Sequence, residues 1–217
     1  MNRTKVLGTM VLGLCLQGCT FFAKSEVAYP RFFTPELAKL ASPEESRQSR
    51  LELRLGRVTA GSYISEKMVY RESSYEIGFY DYRLWTERPE MYLRRALERV
   101  LFEEEGLRSI VSGAAPTLDV ELVGFEELKA PQHEALVRIS FAVHDARAVL
   151  LQETLAVEQP IAKASSGREA DAVAEALGEA LRKAVYEVTG RVLKQLAAGP
   201  APLQPCAEPA RPGTTAR

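Results

Sequence analysis

The side chains with the greatest chemical potential in this chain are two histidines, three cysteines and a short run of glutamates. His144 falls on the solvent face of an alternating segment, and His133 lies in a predicted turn. No cysteine stands at zinc-site spacing from either histidine. The glutamates at 103–105 would point in different directions on a helix, which is typical of a solvated face. These residues predict neither a metal site nor a nucleophile with its base.

Cys19 has a more definite chemical role, because it closes a short apolar segment with a basic start. The apolar run at 6–16 follows Arg3 and Lys5 and is too short to span a bilayer. It ends in Leu-Gln-Gly-Cys, which resembles the lipobox of bacterial lipoproteins, although glutamine is a less usual residue there. We expect residues 1–18 to be a signal peptide and Cys19 to be the lipid acceptor.

The resemblance to lipoproteins implies acyl chains, such as palmitate, on the new N-terminus. Each buried methylene contributes roughly 0.8 kcal/mol, so two or more chains anchor a protein stably. Thr20 follows the cysteine, whereas aspartate at that position is typical of lipoproteins kept at the inner membrane. We therefore expect the outer membrane, with the protein on its periplasmic face.

Composition limits the function classes further. The 217 residues include 28 Lys and Arg against 29 Asp and Glu, so no charge excess favours nucleic acid. Glycines form neither a GxGxxG nor a GxxxxGK pattern, and GxSxG is also absent. We expect no cofactor and no enzymatic activity.

Composition along the chain predicts one domain between two segments that lack a core. Residues 19–50 read as a lipidated tether in which only Arg31-Phe32-Phe33 is suited to docking. Residues 51–197 carry the periodic patterns of a folded domain. Residues 198–217 are proline-rich and are predicted to be disordered. Cys206 in this tail is either a thiol that pairs between molecules or a bystander.

Periodicity within the domain predicts an α+β fold. The predicted elements are alternating strands near 51–55, 68–71, 75–85, 118–125, 135–143 and 149–157, and helices near 89–105 and 166–196. Pro89 and Gly106 bound the first helix, and Ser166 with Glu169 fits a capping box for the second. We predict a mixed, largely antiparallel sheet of about six strands, with both main helices packed on one face.

Seven aromatic residues fall between Tyr63 and Pro89. Alternation predicts one face with Tyr75 and Phe79 and the opposite face with Tyr80 and Tyr82. One core cannot receive both sets. The second face is either a partner surface, for which tyrosine and tryptophan are well suited, or is covered by the tether or tail.

The same region resembles the ABC-type transport auxiliary lipoprotein family, which includes the paraquat-inducible intermembrane-transport lipoprotein. The matching stretches are LGRVTAGSYISEKMVYR and YEIGFYDYRLWTERPEMYLRRAL. The resemblance implies a non-catalytic outer-membrane lipoprotein that works with an ABC transporter and an MCE-domain protein to move lipids between membranes. It further implies docking on the periplasmic end of the MCE assembly, with a homo-oligomeric ring as an option.

On this basis we expect a docking surface on the aromatic hairpin. The residues expected to form or support it are Tyr70, Arg71, Tyr80, Tyr82 and Trp85. Two other functions stay open at this point. One is a lipid or glycolipid carrier with an internal cavity, and the other is a periplasmic enzyme.

Overall fold

The structure is a computed structural model that describes residues 29–35 and 49–199. Signal peptide, Cys19, Cys206, the tail and most of the predicted tether lie outside these residues. The strands are β1 (Arg31–Phe33), β2 (Glu52–Ala60), β3 (Lys67–Arg71), β4 (Ile77–Trp85), β5 (Arg108–Ser109), β6 (Thr117–Leu128), β7 (Glu134–His144) and β8 (Val149–Pro160). The α-helices are α1 (Pro89–Glu98), which continues as a π-helical turn over Arg99–Glu104, and α2 (Glu169–Ala198).

The predicted fold class is confirmed as α+β. β6, β7 and β8 form the antiparallel meander that their alternation and short links predict, and β3 and β4 form the predicted hairpin. The described residues contain eight strands, two more than predicted, because β1 and β5 are too short to show a period. Parallel pairings join β1 to β4, β2 to β5, and β6 to both β2 and β3.

β6 is the central strand of the sheet. One of its edges pairs with β7, and the other pairs with both β2 and β3. β2 pairs with the first half of β6 and β3 pairs with its end, both in parallel. The chain between them turns at Tyr63, whose hydroxyl donates to the carbonyl of Val123 over 2.8 Å, and at Ile64, which is buried. β2 and β3 therefore follow each other in the same direction along β6.

Both helices cover one face of the sheet, as predicted. α1 packs on β2, α2 packs on β7 and β8, and the helices also contact each other. Fully buried residues between the layers include Leu118, Leu122, Ile139, Val143, Leu181 and Val188. Within the described residues, no helix has the length and apolarity needed to cross a membrane.

Two sequence predictions are wrong in detail. The helix predicted to start with a Ser166–Glu169 capping box begins at Glu169, with Arg168 at the N-cap and no side-chain cap. The carboxylate of Glu169 instead accepts a hydrogen bond from the Gly167 N–H over 3.0 Å. The predicted tether also contains a piece of the domain, because β1 pairs with β4 and buries Phe33 in the core.

Candidate docking surface

The predicted site residues lie on the β3–β4 hairpin, which rests on the end of β6. β3 pairs with β4 on one edge and with residues Glu126 to Leu128 of β6 on the other. Side chains alternate along a strand, so Glu126 and Glu127 leave β6 on opposite faces of the sheet. Both glutamates are buried, and each organises a different part of the hairpin.

Glu126 binds Arg71 of β3 in a two-pronged ion pair. The carboxylate of Glu126 is 1% exposed and accepts hydrogen bonds from Nε and Nη2 of Arg71 over 2.9 and 3.1 Å. The hydrogen bond to Glu126 raises the pKa of the Arg71 guanidinium above its ordinary value. A buried carboxylate requires this kind of paired, charge-assisted contact. Arg71 therefore supports the hairpin from within.

Glu127 serves the other face of the sheet through two hydrogen bonds. The hydroxyl of Tyr80 donates to Oε2 of Glu127 over 2.8 Å, and Nε2 of His133 lies 2.6 Å from Oε1. Burial, followed by the hydrogen bond to Glu127, raises the pKa of Tyr80 to about 12. Tyr80 therefore keeps its proton and remains a hydrogen-bond donor over the physiological range.

Tyr70 and Tyr80 form an aromatic pair with cations of the same chain on their ring faces. The two ring centroids are 4.7 Å apart. The Nζ atom of Lys129 lies 3.7 Å from the centroid of Tyr70, and the guanidinium carbon of Arg83 lies 4.1 Å from that of Tyr80. These distances are those of cation–π contacts. Both tyrosines hold the hairpin together.

Trp85 is not part of an exposed surface, which corrects one member of the predicted set. It is 2% exposed, and its ring packs against Phe125 at 5.2 Å and Tyr92 at 6.4 Å between centroids. Its backbone N–H donates to the carbonyl of Glu66 over 2.6 Å. Trp85 fixes the base of β4 in the core, so it can only support a surface indirectly.

β4 contains a bulge, and two of the aromatic side chains that remain exposed lie at or within it. Lys67 pairs with Leu84 and Val69 pairs with Phe79, so one residue of β3 faces four residues of β4. The bulge interrupts the alternation of side chains along β4. The register places Phe79 and Leu84 on the same face of the sheet, although strict alternation would place them on opposite faces. Phe79 and Tyr82 of β4 and Phe32 of β1 are exposed. We call these three residues the docking surface.

None of the residues that hold the hairpin through polar or cation–π contacts was predicted as a site residue: Glu126, Glu127, Lys129 and His133. The predicted strand ends near residue 125, whereas β6 continues through both glutamates to Leu128. Two adjacent carboxylates that continue a strand were the available signal. Alternation sends one of them to each face, where a buried carboxylate needs a donor.

The other residues considered for chemistry have structural partners. Nε2 of His144 lies 3.4 Å from Oδ2 of Asp119, and Oε2 of Glu104 accepts a hydrogen bond from Tyr186 over 2.7 Å. Among residues 29–35 and 49–199, no three His, Cys, Asp or Glu side chains are grouped as metal ligands. A cleft of about 460 Å³ lies between the end of β8 and α2, where Glu179 accepts hydrogen bonds from Arg182.

The geometry defines a one-sheet α+β domain with helices on a single face and an aromatic hairpin at one edge. The chain belongs to the family of ABC-type transport auxiliary lipoprotein components, whose model matches residues 35–188. The family resemblance of the sequence is thereby confirmed. No curated protein is significantly similar to the chain.

Solved structures share the fold at low sequence identity. Protein XCC0632 from Xanthomonas campestris, described with the family model DUF330, is 18% identical with a TM-score of 0.64; the match covers 76% of this chain and 96% of that one. An uncharacterized protein is 15% identical with a TM-score of 0.56, covering 67% and 96% of the two chains. The hypothetical protein CT253 from Chlamydia trachomatis is 13% identical with a TM-score of 0.51, covering 70% and 100%. These similarities show a common fold.

Proposed function

We propose that this protein is a non-catalytic, lipid-anchored subunit of an ABC/MCE-type intermembrane lipid transport system. In this proposal Cys19 carries the lipid, the outer membrane holds the anchor, and the domain docks on the MCE assembly in the periplasm. The match to the ABC-type transport auxiliary lipoprotein family over residues 35–188 carries the proposal. It makes a transport complex the expected partner.

The docking surface is the part of the domain best suited to an MCE-domain protein. Phe32, Phe79 and Tyr82 are exposed, while Tyr70, Tyr80 and the two buried glutamates hold the strand beneath them. Aromatic residues on a rigid support give a large contact area at low entropic cost, which is typical of interface hot spots. Tyr82 lies within the bulge of β4 and is our choice for the central contact.

A lipid carrier is the competing function, and it requires an internal cavity. The space between sheet and helices in this fold is filled by side chains such as Leu118, Ile139 and Val188, which are fully buried. The cleft between the end of β8 and α2 is lined in part by Glu175, Glu179 and Arg182, and such charged groups do not suit acyl chains. We therefore favour docking, and the experiment below includes the outcome expected of a carrier.

Cross-linking in intact cells tests the docking function. The lipidated full-length protein is cross-linked, purified and analysed by mass spectrometry, and Tyr82→Ala is compared with Met91→Ala. Met91 is an exposed apolar residue on α1 and is not one of the three residues of the docking surface, so it controls for the loss of an exposed apolar side chain. We expect an MCE-domain protein with the unchanged chain and with Met91→Ala, and a marked loss with Tyr82→Ala.

Two results would count against this proposal. Equal recovery of the MCE-domain protein with Tyr82→Ala would remove Tyr82 from the interface. Repeated capture of lipid without any MCE-domain protein, at several cross-linker lengths, would favour the carrier instead.

A further inference from the structure

Tyr75 is an aromatic residue that belongs to neither the core nor the docking surface. It lies in the turn between β3 and β4 and is 99% exposed. The turn is ordered, because the Glu72 N–H donates to the carbonyl of Glu76 over 3.1 Å and the Tyr75 N–H donates to the hydroxyl of Ser73 over 3.3 Å. An ordered turn that presents a whole aromatic ring to its surroundings is a candidate contact site.

The path of the chain links this turn to the proposed lipid anchor. β1 runs parallel to β4, with Arg31 beside Arg83 and Phe33 beside Trp85. Going backward from Arg31, the chain therefore heads toward the beginning of β4, which is the end that carries Tyr75. Tyr29 lies on this approach and is also exposed.

Chain length sets an upper limit on the distance between the proposed anchor and the described part of the chain. Ten residues separate Cys19 from Tyr29, and a fully extended chain of that length spans at most roughly 35 Å. Eight residues separate Arg83 from Tyr75, which is at most roughly 26 Å along a strand. A chain of that length is long enough for a lipid on Cys19 to lie level with the turn, and the turn is at the end of the sheet toward which β1 runs when followed back from Arg31.

We propose that the β3–β4 turn contacts the membrane interface that holds the Cys19 anchor, with the ring of Tyr75 among the lipid headgroups and Tyr29 beside it. This inference rests on the proposed lipid anchor. Tyrosine is enriched at membrane interfaces, because its ring is apolar and its hydroxyl remains hydrated. The contact leaves the docking surface free for a protein partner.

Charges near the turn indicate the kind of lipid surface. Glu72 and Glu76 flank Tyr75, and Glu72 binds Lys129 over 2.8 Å. This end of the hairpin thus has no excess of positive charge that would attract anionic lipid. The contact is with zwitterionic headgroups and is shallow, carried by the aromatic ring.

The opposite end of the sheet supplies a matched control. Arg71 pairs with Leu128 and Leu128 pairs with Glu134, so the β3–β4 turn lies at the end of β6. Val149 pairs with His144, which pairs with Thr117 at the beginning of β6. The two ends are eleven residues of β6 apart, roughly 36 Å. Val149 is exposed and apolar but lies at the end of the sheet opposite to the β3–β4 turn.

The chain contains one tryptophan, the buried Trp85, which makes fluorescence a direct test. Tyr75→Trp and Val149→Trp are each introduced into the lipidated full-length protein and bound to phosphatidylcholine vesicles whose acyl chains carry bromine near the headgroup. Bromine quenches indole emission only at contact range. We expect loss of the added emission in Tyr75→Trp, and unchanged emission from Val149→Trp and from Trp85.

Flotation with the vesicles separates failure of this inference from failure of the anchor. A lipidated protein that floats while Tyr75→Trp and Val149→Trp are equally quenched, or equally unquenched, overturns the membrane contact and leaves the anchor intact. A protein that does not float removes the anchor on which the inference rests. Emission of Tyr75→Trp that shifts to the blue with protein concentration in detergent, without vesicles, overturns the contact in favour of a second copy.

Discussion

Glu126 and Glu127 determine how firmly the aromatic hairpin is held. Two carboxylates buried side by side on one strand would each carry a large desolvation cost without a partner. Because the two side chains lie on opposite faces of the sheet, they bind different partners. Glu126 binds Arg71 on one face, and Glu127 binds Tyr80 and His133 on the other. Both halves of the hairpin are thus attached to β6 by polar contacts.

Removing the guanidinium of Arg71 should destabilise the domain. In Arg71→Ala, Glu126 stays buried without its ion-pair partner, and breaking a buried pair on one side costs about 3–5 kcal/mol in the free energy of unfolding. Urea unfolding measures this change. The double variant Arg71→Met with Glu126→Leu removes both charges and should recover most of the loss. A single variant as stable as the unchanged protein would show that Glu126 does not depend on Arg71.

Tyr80 should make stability depend on pH in the alkaline range. Its pKa in the folded protein is about 12, above the ordinary value of 10.0, because the phenol is buried and bonded to Glu127. Between these two values the unfolded chain loses the proton while the folded chain keeps it, so the free energy of unfolding falls as pH rises. The stabilising contribution of the Tyr80 phenol is fully present at pH values below 10.0, the ordinary pKa of tyrosine.

Tyr80→Phe cannot ionise at this position, so its stability should decline less steeply across that window. Urea unfolding on either side of the window measures the slope, with Tyr75→Phe at the exposed turn as the control. Tyr63, whose pKa burial also raises, is present in every variant and contributes equally. Identical slopes for Tyr80→Phe and the unchanged protein would mean that the Tyr80 phenol is not protected in the fold.

At the level of elements, alternation predicted the meander and the hairpin, and helical spacing predicted both helices, because each of these elements buries one face. Sequence periodicity could not predict β1, since three residues are too few to show a period. It also could not predict that β2 and β3 pair one after the other with the same edge of β6, both in parallel. The bulge of β4 depends on contacts from other strands. For the same reason the sequence named Trp85 as a docking residue although its ring lies in the core.

Gly56 lies at a bulge in β2. The pairing of β2 with β6 shifts between Leu55 and Val58, and the Arg57 N–H donates to Oδ1 of Asp119 over 2.7 Å. A Cβ at Gly56 would collide with that carboxylate and would lie 2.7 Å from Cγ2 of Thr117 and 3.2 Å from the carbonyl oxygen of Leu118. The close approach of two strands therefore requires glycine here.

Gly56→Ala should destabilise the protein by about 1–3 kcal/mol, because the added methyl group forces the strands apart. Gly190→Ala is the matched control with the opposite sign. Gly190 lies within α2 and nothing surrounds its Cβ position within 4 Å, so alanine should add about 0.5–1 kcal/mol through helix propensity. Thermal and urea unfolding of both variants measure the difference. A neutral Gly56→Ala would show that the bulge can relax around the methyl group.

At the scale of the whole molecule, β1 connects the proposed anchor to the sheet. Phe33 is 8% exposed within the core, its carbonyl accepts a hydrogen bond from the Thr86 N–H over 2.9 Å, and Arg31 reaches the carbonyl of Gly167 over 3.3 Å. The N-terminal segment is thereby fastened both to β4 and to the start of α2. A force on the proposed lipid anchor would be transmitted to the sheet through these contacts.

Phe33→Ala should release β1 while the rest of the domain stays folded. Loss of the buried ring removes the side-chain contact that holds the strand, so the Thr86 amide should exchange with deuterium faster while the amides of β6 and β7 stay protected. Phe32→Ala is the matched control, since Phe32 is 64% exposed and loses an equal side chain without a core contact. Hydrogen-exchange mass spectrometry of the two variants makes the comparison.

The pattern of protection from hydrogen exchange shows whether β1 opens independently or unfolds only together with the rest of the sheet. Faster exchange at Thr86 alone means that β1 opens independently of the rest of the sheet. The proposed anchor would then no longer fix the orientation of the domain relative to the membrane. Faster exchange across β6 and β7 as well would contradict local opening and would mean that β1 unfolds only with the sheet. The proposed membrane contact of the Tyr75 turn requires β1 to stay paired with β4, because this pairing sets the direction of the chain before Arg31. We therefore expect Phe33→Ala, but not Phe32→Ala, to weaken the bromine quenching of Tyr75→Trp.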